Sequence, residues 1–244
     1  MKILSIDLDY ISGPAIIHNE QIMHKKELDM WPVLKWVELF DTHPGEFSHK
    51  IDVSNYQFCL RSYLRAISNC NDVRFGYDHD NILYGLEGHS DIEVINIDHH
   101  DDILSGCFGS DDDEIDSLLT YERVMEGNWG FWLKLTNRLK SFTWIGNRDS
   151  DNMSTIPTIQ KHFDNFEFYS KEEYEFEDYN FDQIFVCLSP GYIPPLHWHM
   201  LGTFITVYEE LTGNKVDLST LHRKYEMEKY YEGVTRYITG KTNS

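Results

Sequence analysis

"VINIDHHDDIL", Val94 to Leu104, is the stretch on which the fold turns. It opens as an apolar run suited to a buried strand and then gives five polar residues in a row, Asp98-His99-His100-Asp101-Asp102. Side chains on extended backbone alternate with period two, so Asp98, His100 and Asp102 are expected on one side and His99 and Asp101 on the other. The pattern is D-x-H-x-D, an imidazole between two carboxylates, and it points to metal ligation more than to a solvated loop.

A second segment has the same grammar. "MKILSIDLDYI", from Met1, reads as a buried strand over residues 2–8. Alternation groups Ser5, Asp7 and Asp9. Two such strand ends set side by side would gather four carboxylates and a histidine that repel one another and raise one another's pKa values. Divalent cations remove that conflict, and carboxylate and imidazole ligands without thiolate favour Mn²⁺ over a structural zinc. His79, in "YDHDNILYGLEGH", is expected at the start of a helix feeding the metal strand, where it supplies a further imidazole.

Strands and helices alternate along the rest of the chain. Helices are expected in "WPVLKWVELF" (31–40), "QFCLRSYLRAISNC" (57–70), "DHDNILYGLEGH" (78–89), the end of "ERVMEGNWGFWLKLTNRLK" (122–140), "MLGTFITVYEELTG" (200–213) and 219–239. Strands are expected in "IEVINID" (92–98), "SFTWIG" (141–146), the start of 166–182, and "FDQIFVCLS" (181–189), which a Pro-Gly-Tyr-Ile-Pro-Pro turn follows. This order implies a three-layer α/β/α fold with a mainly parallel central sheet. No linker interrupts it, so one catalytic domain over 1–244 is expected. In such folds ligands sit beyond the carboxyl ends of the strands, where both acidic clusters fall.

Bulk composition narrows the partners. Of 244 residues, 41% are hydrophobic and 14% aromatic, which argues against disorder, and the formal net charge is −20. Such a chain repels nucleic acid and anionic membranes and suits a cationic substrate or peptide. No apolar run approaches a membrane span. The four cysteines, Cys59, Cys70, Cys107 and Cys187, have no metal spacing, and with no signal peptide a reduced, cytoplasmic setting is expected. Nothing in the sequence sets an oligomeric state.

These residues resemble the arginase/ureohydrolase superfamily and, within it, the arginase-like group that includes the peptide arginases. "DHDNILYGLEGHSDIEVINIDHHDDI" looks like that family's G-D-H-S helix leading into its D-A-H-x-D strand, and "LSIDLDYISGP" looks like its S-x-D-x-D-x-x-D-P segment. "EGNWGFWL" and "LSPGYIPP" resemble an E-N-W segment and a later turn of the peptide-arginase group. The resemblance implies two manganese ions bridged by Asp7 and Asp98, with His79 and Asp102 completing one shell and His100 and Asp9 the other. It implies hydrolysis of an arginine guanidinium to ornithine and urea, within a ribosomally made precursor peptide. Two departures stand out. The D-x-D segment comes first in the chain instead of late, so the sheet order is expected to be permuted. The family's histidine proton shuttle has no counterpart in "EGNWG", which leaves His197 and His199 as candidates.

Other residues carry two meanings. Glu126 could pair with a guanidinium fork or act as a helix N-terminal acid. Asn128 could bind substrate, though capping the following helix suits it better. Asp111-Asp112-Asp113-Glu114 reads as a solvated loop. Competing activities are a small-molecule ureohydrolase (arginase, agmatinase or formiminoglutamase), a single-zinc deacetylase on the same fold, or a metal-stabilised binding protein without turnover.

Overall fold

The computed structural model of the protein describes residues 1–11, 36, 51–103, 127–147 and 156–217. Glu126, the acidic run 111–114, Cys107, the segment 219–239 and, Trp36 apart, the segment 31–40 lie outside them.

Among the described residues six strands form one sheet: β1 (Lys2–Asp7), β2 (Asp72–Gly76), β3 (Ile92–Ile97), β4 (Leu139–Gly146), β5 (Phe166–Ser170) and β6 (Gln183–Cys187). Their order is β2-β6-β1-β3-β4-β5, and every pairing is parallel. Among the described residues the α-helices are α1 (Val53–Ile67), α2 (Trp129–Leu135), α3 (Ile156–His162) and α4 (His199–Thr212), with 3-10 helices at Leu8–Ile11, His79–Gly85 and Pro195–His197. The open, wholly parallel sheet with helices is the α/β class expected from the alternation of elements.

Burial on both faces explains why the central strands are almost continuously apolar. Leu4 and Ile6 of β1, Ile95 and Ile97 of β3, and Ile184 and Val186 of β6 pack with Cys59, Tyr63 and Ala66 of α1 and with Leu201 and Phe204 of α4. Their neighbours Ile3, Val94 and Phe185 face the other way, onto Ile82, Trp129, Leu133 and Ile159. The strands thus alternate between two cores, one per face. Ser5 and Asp7 follow Ile3 by twos, and Asn96 and Asp98 follow Val94 by twos, so the polar residues share the face covered by α2, α3 and the 3-10 helix His79–Gly85.

Several expectations change in detail. Strand β2 was not anticipated; its centre is Arg74, ion-paired to Asp72, as suits an edge strand. Helix α1 starts earlier than expected, at Val53, because Asp52 accepts from the Asn55 N–H as its N-cap, worth about 0.5–2 kcal/mol. The helix expected over 78–89 is only the 3-10 helix His79–Gly85. Asn128 stands at the N-cap of α2, yet its side chain makes no capping bond.

Candidate metal centre

The register of β1 against β3 builds the site. Ile6 lies opposite Ile97, so Asp7 and Asp98 leave adjacent strands side by side. Asp9 follows in the 3-10 turn Leu8–Ile11, while β2 leads into the 3-10 helix that begins with His79. Beyond Ile97 the chain is no longer a strand; it turns, with Asp102 in the left-handed region at φ 53°. Asp98, His100 and Asp102 still converge, and His99 and Asp101 are directed elsewhere.

All six expected ligands are buried together. His79 Nδ1 stands 2.8 Å from Asp102 Oδ2, 3.0 Å from Asp98 Oδ2 and 3.1 Å from Asp7 Oδ2. His100 Nδ1 stands 2.8 Å from Asp9 Oδ2 and 3.9 Å from Asp98 Oδ1. Asp98 belongs to both groups, one oxygen turned to each. These groups, Asp7/His79/Asp98 and Asp9/Asp98/His100, could hold metal ions.

The donor geometry fits a metal better than a hydrogen-bond network. Nδ1 of His79 faces three carboxylate oxygens at once, yet none meets it in hydrogen-bond geometry, and the same holds for Asp9 Oδ2 beside His100. Donors at right angles on an ion, with bonds of about 2.1 Å, stand roughly 3 Å apart, as these do. The other nitrogen of His79, Nε2, is bonded to Ser5 Oγ at 2.6 Å, which turns Nδ1 inward.

A layer of neutral donors surrounds the ligands. Ser189 Oγ donates to Asp7 Oδ2. The His100 N–H donates to Asp98 Oδ1 at 2.8 Å, Asn96 Nδ2 to Asp98 Oδ2 at 3.2 Å, and Trp129 Nε1 to Asp102 Oδ2 at 2.8 Å. Among the described residues no Lys or Arg stands within ion-pair distance of the four carboxylates. Ser189, Asn96 and Trp129 were not expected from sequence as partners of the site. Only the period-two position of Asn96 before Asp98 could have signalled one of them.

Electrostatics records the resulting conflict. Burial pushes the Asp9 carboxyl well above its ordinary range, and the Asp7 and Asp98 charges add to it. Asp102 is raised by burial and by Asp98. Burial opposes ionisation of Asp98 too, but the contacts and charge of His79 outweigh it and hold that carboxyl below the usual range. Burial disfavours the His79 imidazolium, yet Asp102 above all, with Asp7 and Asp98, raises it well above an ordinary histidine.

A pH dependence follows. The folded metal-free protein retains protons on Asp9, Asp102 and His79 that the unfolded chain releases, at about pH 4 for the acids and about 6.5 for the imidazole. The His79 contribution to stability is therefore full below that value and disappears as pH rises through the raised folded pKa; the two acids act with the same sign. In excess chelator, Tm is expected to fall as pH rises above about 6.5. A divalent ion such as Mn²⁺, if held there, would replace those protons and stabilise most at the alkaline end. Differential scanning fluorimetry checks this, and a chelated Tm that climbs with pH contradicts it.

Of the remaining candidates, His197 is buried at the end of the 3-10 turn Pro195–His197, and His199 is exposed, bonded through Nδ1 to the Leu196 carbonyl. Both follow β6, whose turn brings the Tyr192 ring to 4.7 Å from that of His100. Asn128 is buried beside Trp129. His99 and Asp101, expected outside the ligand set, are also buried. The Asp101 carboxylate accepts from the Ile103 N–H, and the His99 ring lies 5.0 Å from that of His100. No helix among the described residues is long and apolar enough to cross a membrane. No protein-family model matches the chain, and no curated protein and no solved structure matches it.

Proposed function

We propose that this chain is an arginase-like hydrolase that uses two manganese ions to convert arginine side chains of a ribosomally made precursor peptide to ornithine, releasing urea. The observation that carries the proposal is the pair of acid–imidazole groups joined through Asp98 at the carboxyl ends of adjacent parallel strands. Four carboxylates and two neutral imidazoles carry four negative charges, which two divalent cations balance. An all-oxygen and nitrogen donor set suits Mn²⁺. The permuted order belongs to the proposal as well: β1, first in the chain, takes the place beside β3 that a later strand holds in arginases.

Bound there, a pair of divalent ions would activate water near neutral pH and stabilise the charge that develops on the guanidinium. Water then adds its oxygen to the guanidinium carbon and the bond from that carbon to the side-chain nitrogen breaks. The nitrogen leaves as the ornithine ammonium and the remainder as neutral urea. Asp7, Asp9, His79, Asp98, His100 and Asp102 hold the centre. His197 is the candidate to hand a proton to the departing nitrogen. Glu126 and Asn128 are the candidates for pairing with the guanidinium. The setting is cytoplasmic, and neither nucleic acid nor membrane is a partner.

The test is incubation of Mn²⁺-reconstituted protein with arginine-containing peptides, read by mass spectrometry and urea assay. Urea release that stops with chelator, returns with Mn²⁺ and rises from neutral to alkaline pH is expected. Metal binding without urea from any peptide or from free arginine would leave a metal-stabilised binding protein.

A further inference from the structure

The motif "GNWG", Gly127 to Gly130, leads into α2. In the fold its last two residues open α2 and grip Asp102 from two sides. The Trp129 indole N–H donates to Asp102 Oδ2 at 2.8 Å, and the Gly130 backbone N–H donates to the Asp102 carbonyl at 3.0 Å. The residue so gripped is one of four non-glycine residues with positive φ among those described, a conformation that costs energy unless neighbours impose it.

Each member of the grip is closely fitted. Trp129 is fully buried. Its ring lies 5.1 Å from the His79 ring and 5.6 Å from the Phe142 ring. A Cβ on Gly130 would stand 2.8 Å from Phe142 and 3.1 Å from the Asp102 carbonyl oxygen, so the backbone of α2 approaches this closely only because residue 130 has no side chain. Trp129 therefore touches His79 by ring contact and, by hydrogen bond, Asp102, whose Oδ2 stands 2.8 Å from His79 Nδ1. His100, of the other group, packs instead on Tyr192 and His99.

We infer that Trp129 is a positioning residue for one of the two ions, the one held by His79 and Asp102, and that it sets how tightly that ion binds by orienting the Asp102 carboxylate. This rests on the proposed two-ion centre. A hydrogen-bond partner behind a metal ligand is typically worth about 10- to 100-fold in metal affinity. The effect should fall on one ion, because the donor acts on the Asp102 oxygen that faces His79 and not on His100 or Asp9.

The experiment is a calorimetric titration of chelator-stripped full-length protein with Mn²⁺, comparing wild type, Trp129→Phe and Tyr63→Phe. Tyr63→Phe is the control: it removes a buried hydroxyl bonded to the Phe204 carbonyl on the opposite face of the sheet. Two binding steps are expected in wild type and in Tyr63→Phe. In Trp129→Phe one step should weaken about 10- to 100-fold while the other stays close to wild type. Two unchanged steps in Trp129→Phe, or equal weakening of both, would overturn the inference. No Mn²⁺ binding by wild type would instead overturn the two-ion centre itself. Should Trp129→Phe not fold, the indole N–H resonances of ¹⁵N-labelled wild type decide. One of them must shift as diamagnetic Zn²⁺ binds, and binding that leaves every indole unmoved overturns the assignment.

Discussion

Asp98→Ala is expected to abolish binding of both ions. Its two oxygens face different donor groups, Oδ2 toward His79 and Oδ1 toward His100, so one substitution removes a ligand from each. Loss of a partner behind a ligand costs about 10- to 100-fold in affinity or activity. Loss of a shared ligand should exceed the upper end of that range for both ions and reduce urea formation below detection. His100→Ala should spare the ion beside His79, and His99→Ala should keep both. Metal analysis after reconstitution and desalting gives the stoichiometries. Asp98→Ala protein that keeps two ions would mean that the groups do not share it.

Free arginine is expected to be a poor substrate beside a mid-chain arginine in a peptide, by roughly ten- to a hundredfold in kcat/KM. A free amino acid brings a charged α-carboxylate, and leaving it unpaired near a buried site costs about 1–3 kcal/mol. Among the described residues no Lys or Arg adjoins the cluster to meet it, and Lys171 is already bonded to Ser54 and Asn55. A peptide carries neutral amides there, and the net charge of −20 draws a cationic peptide in at low salt. Lysine peptides should be inert because an ammonium offers no carbon to attack. Equal concentrations of free arginine and an arginine peptide, with urea and ornithine measured, make the comparison. Equal turnover of both would favour a small-molecule ureohydrolase.

The clustering of these acids with a histidine was legible from the chain because alternation is local. Asp7 and Asp9 in one segment, and Asp98, His100 and Asp102 in another, announce their convergence within a few residues. The grouping survives even though the backbone past Ile97 is a turn, since the left-handed Asp102 brings its carboxylate back to the side of Asp98. That same turn explains why His99 and Asp101 are buried: strand alternation sends them outward, whereas a loop folded onto itself encloses both. Strand β2 was not legible because an edge strand of five residues around Arg74 has no continuous apolar run. The contacts of Ser189 with Asp7 and of Trp129 with Asp102 join residues 182 and 27 positions apart, and no local pattern encodes them.

The strand order bears on how the protein is made on the ribosome. All six residues of the acid–imidazole cluster have been synthesised once Asp102 emerges. His79, however, is delivered by β2, and β2 is joined to the sheet only through β6, residues 183–187. Until that later strand slides in between β1 and β2, the histidine has no scaffold that places it over Asp7, and Ser189 is not yet there to bond Asp7. A nascent chain stalled before β6 thus carries all six of these Asp and His residues but lacks the strand that holds β2, and with it His79, against the rest.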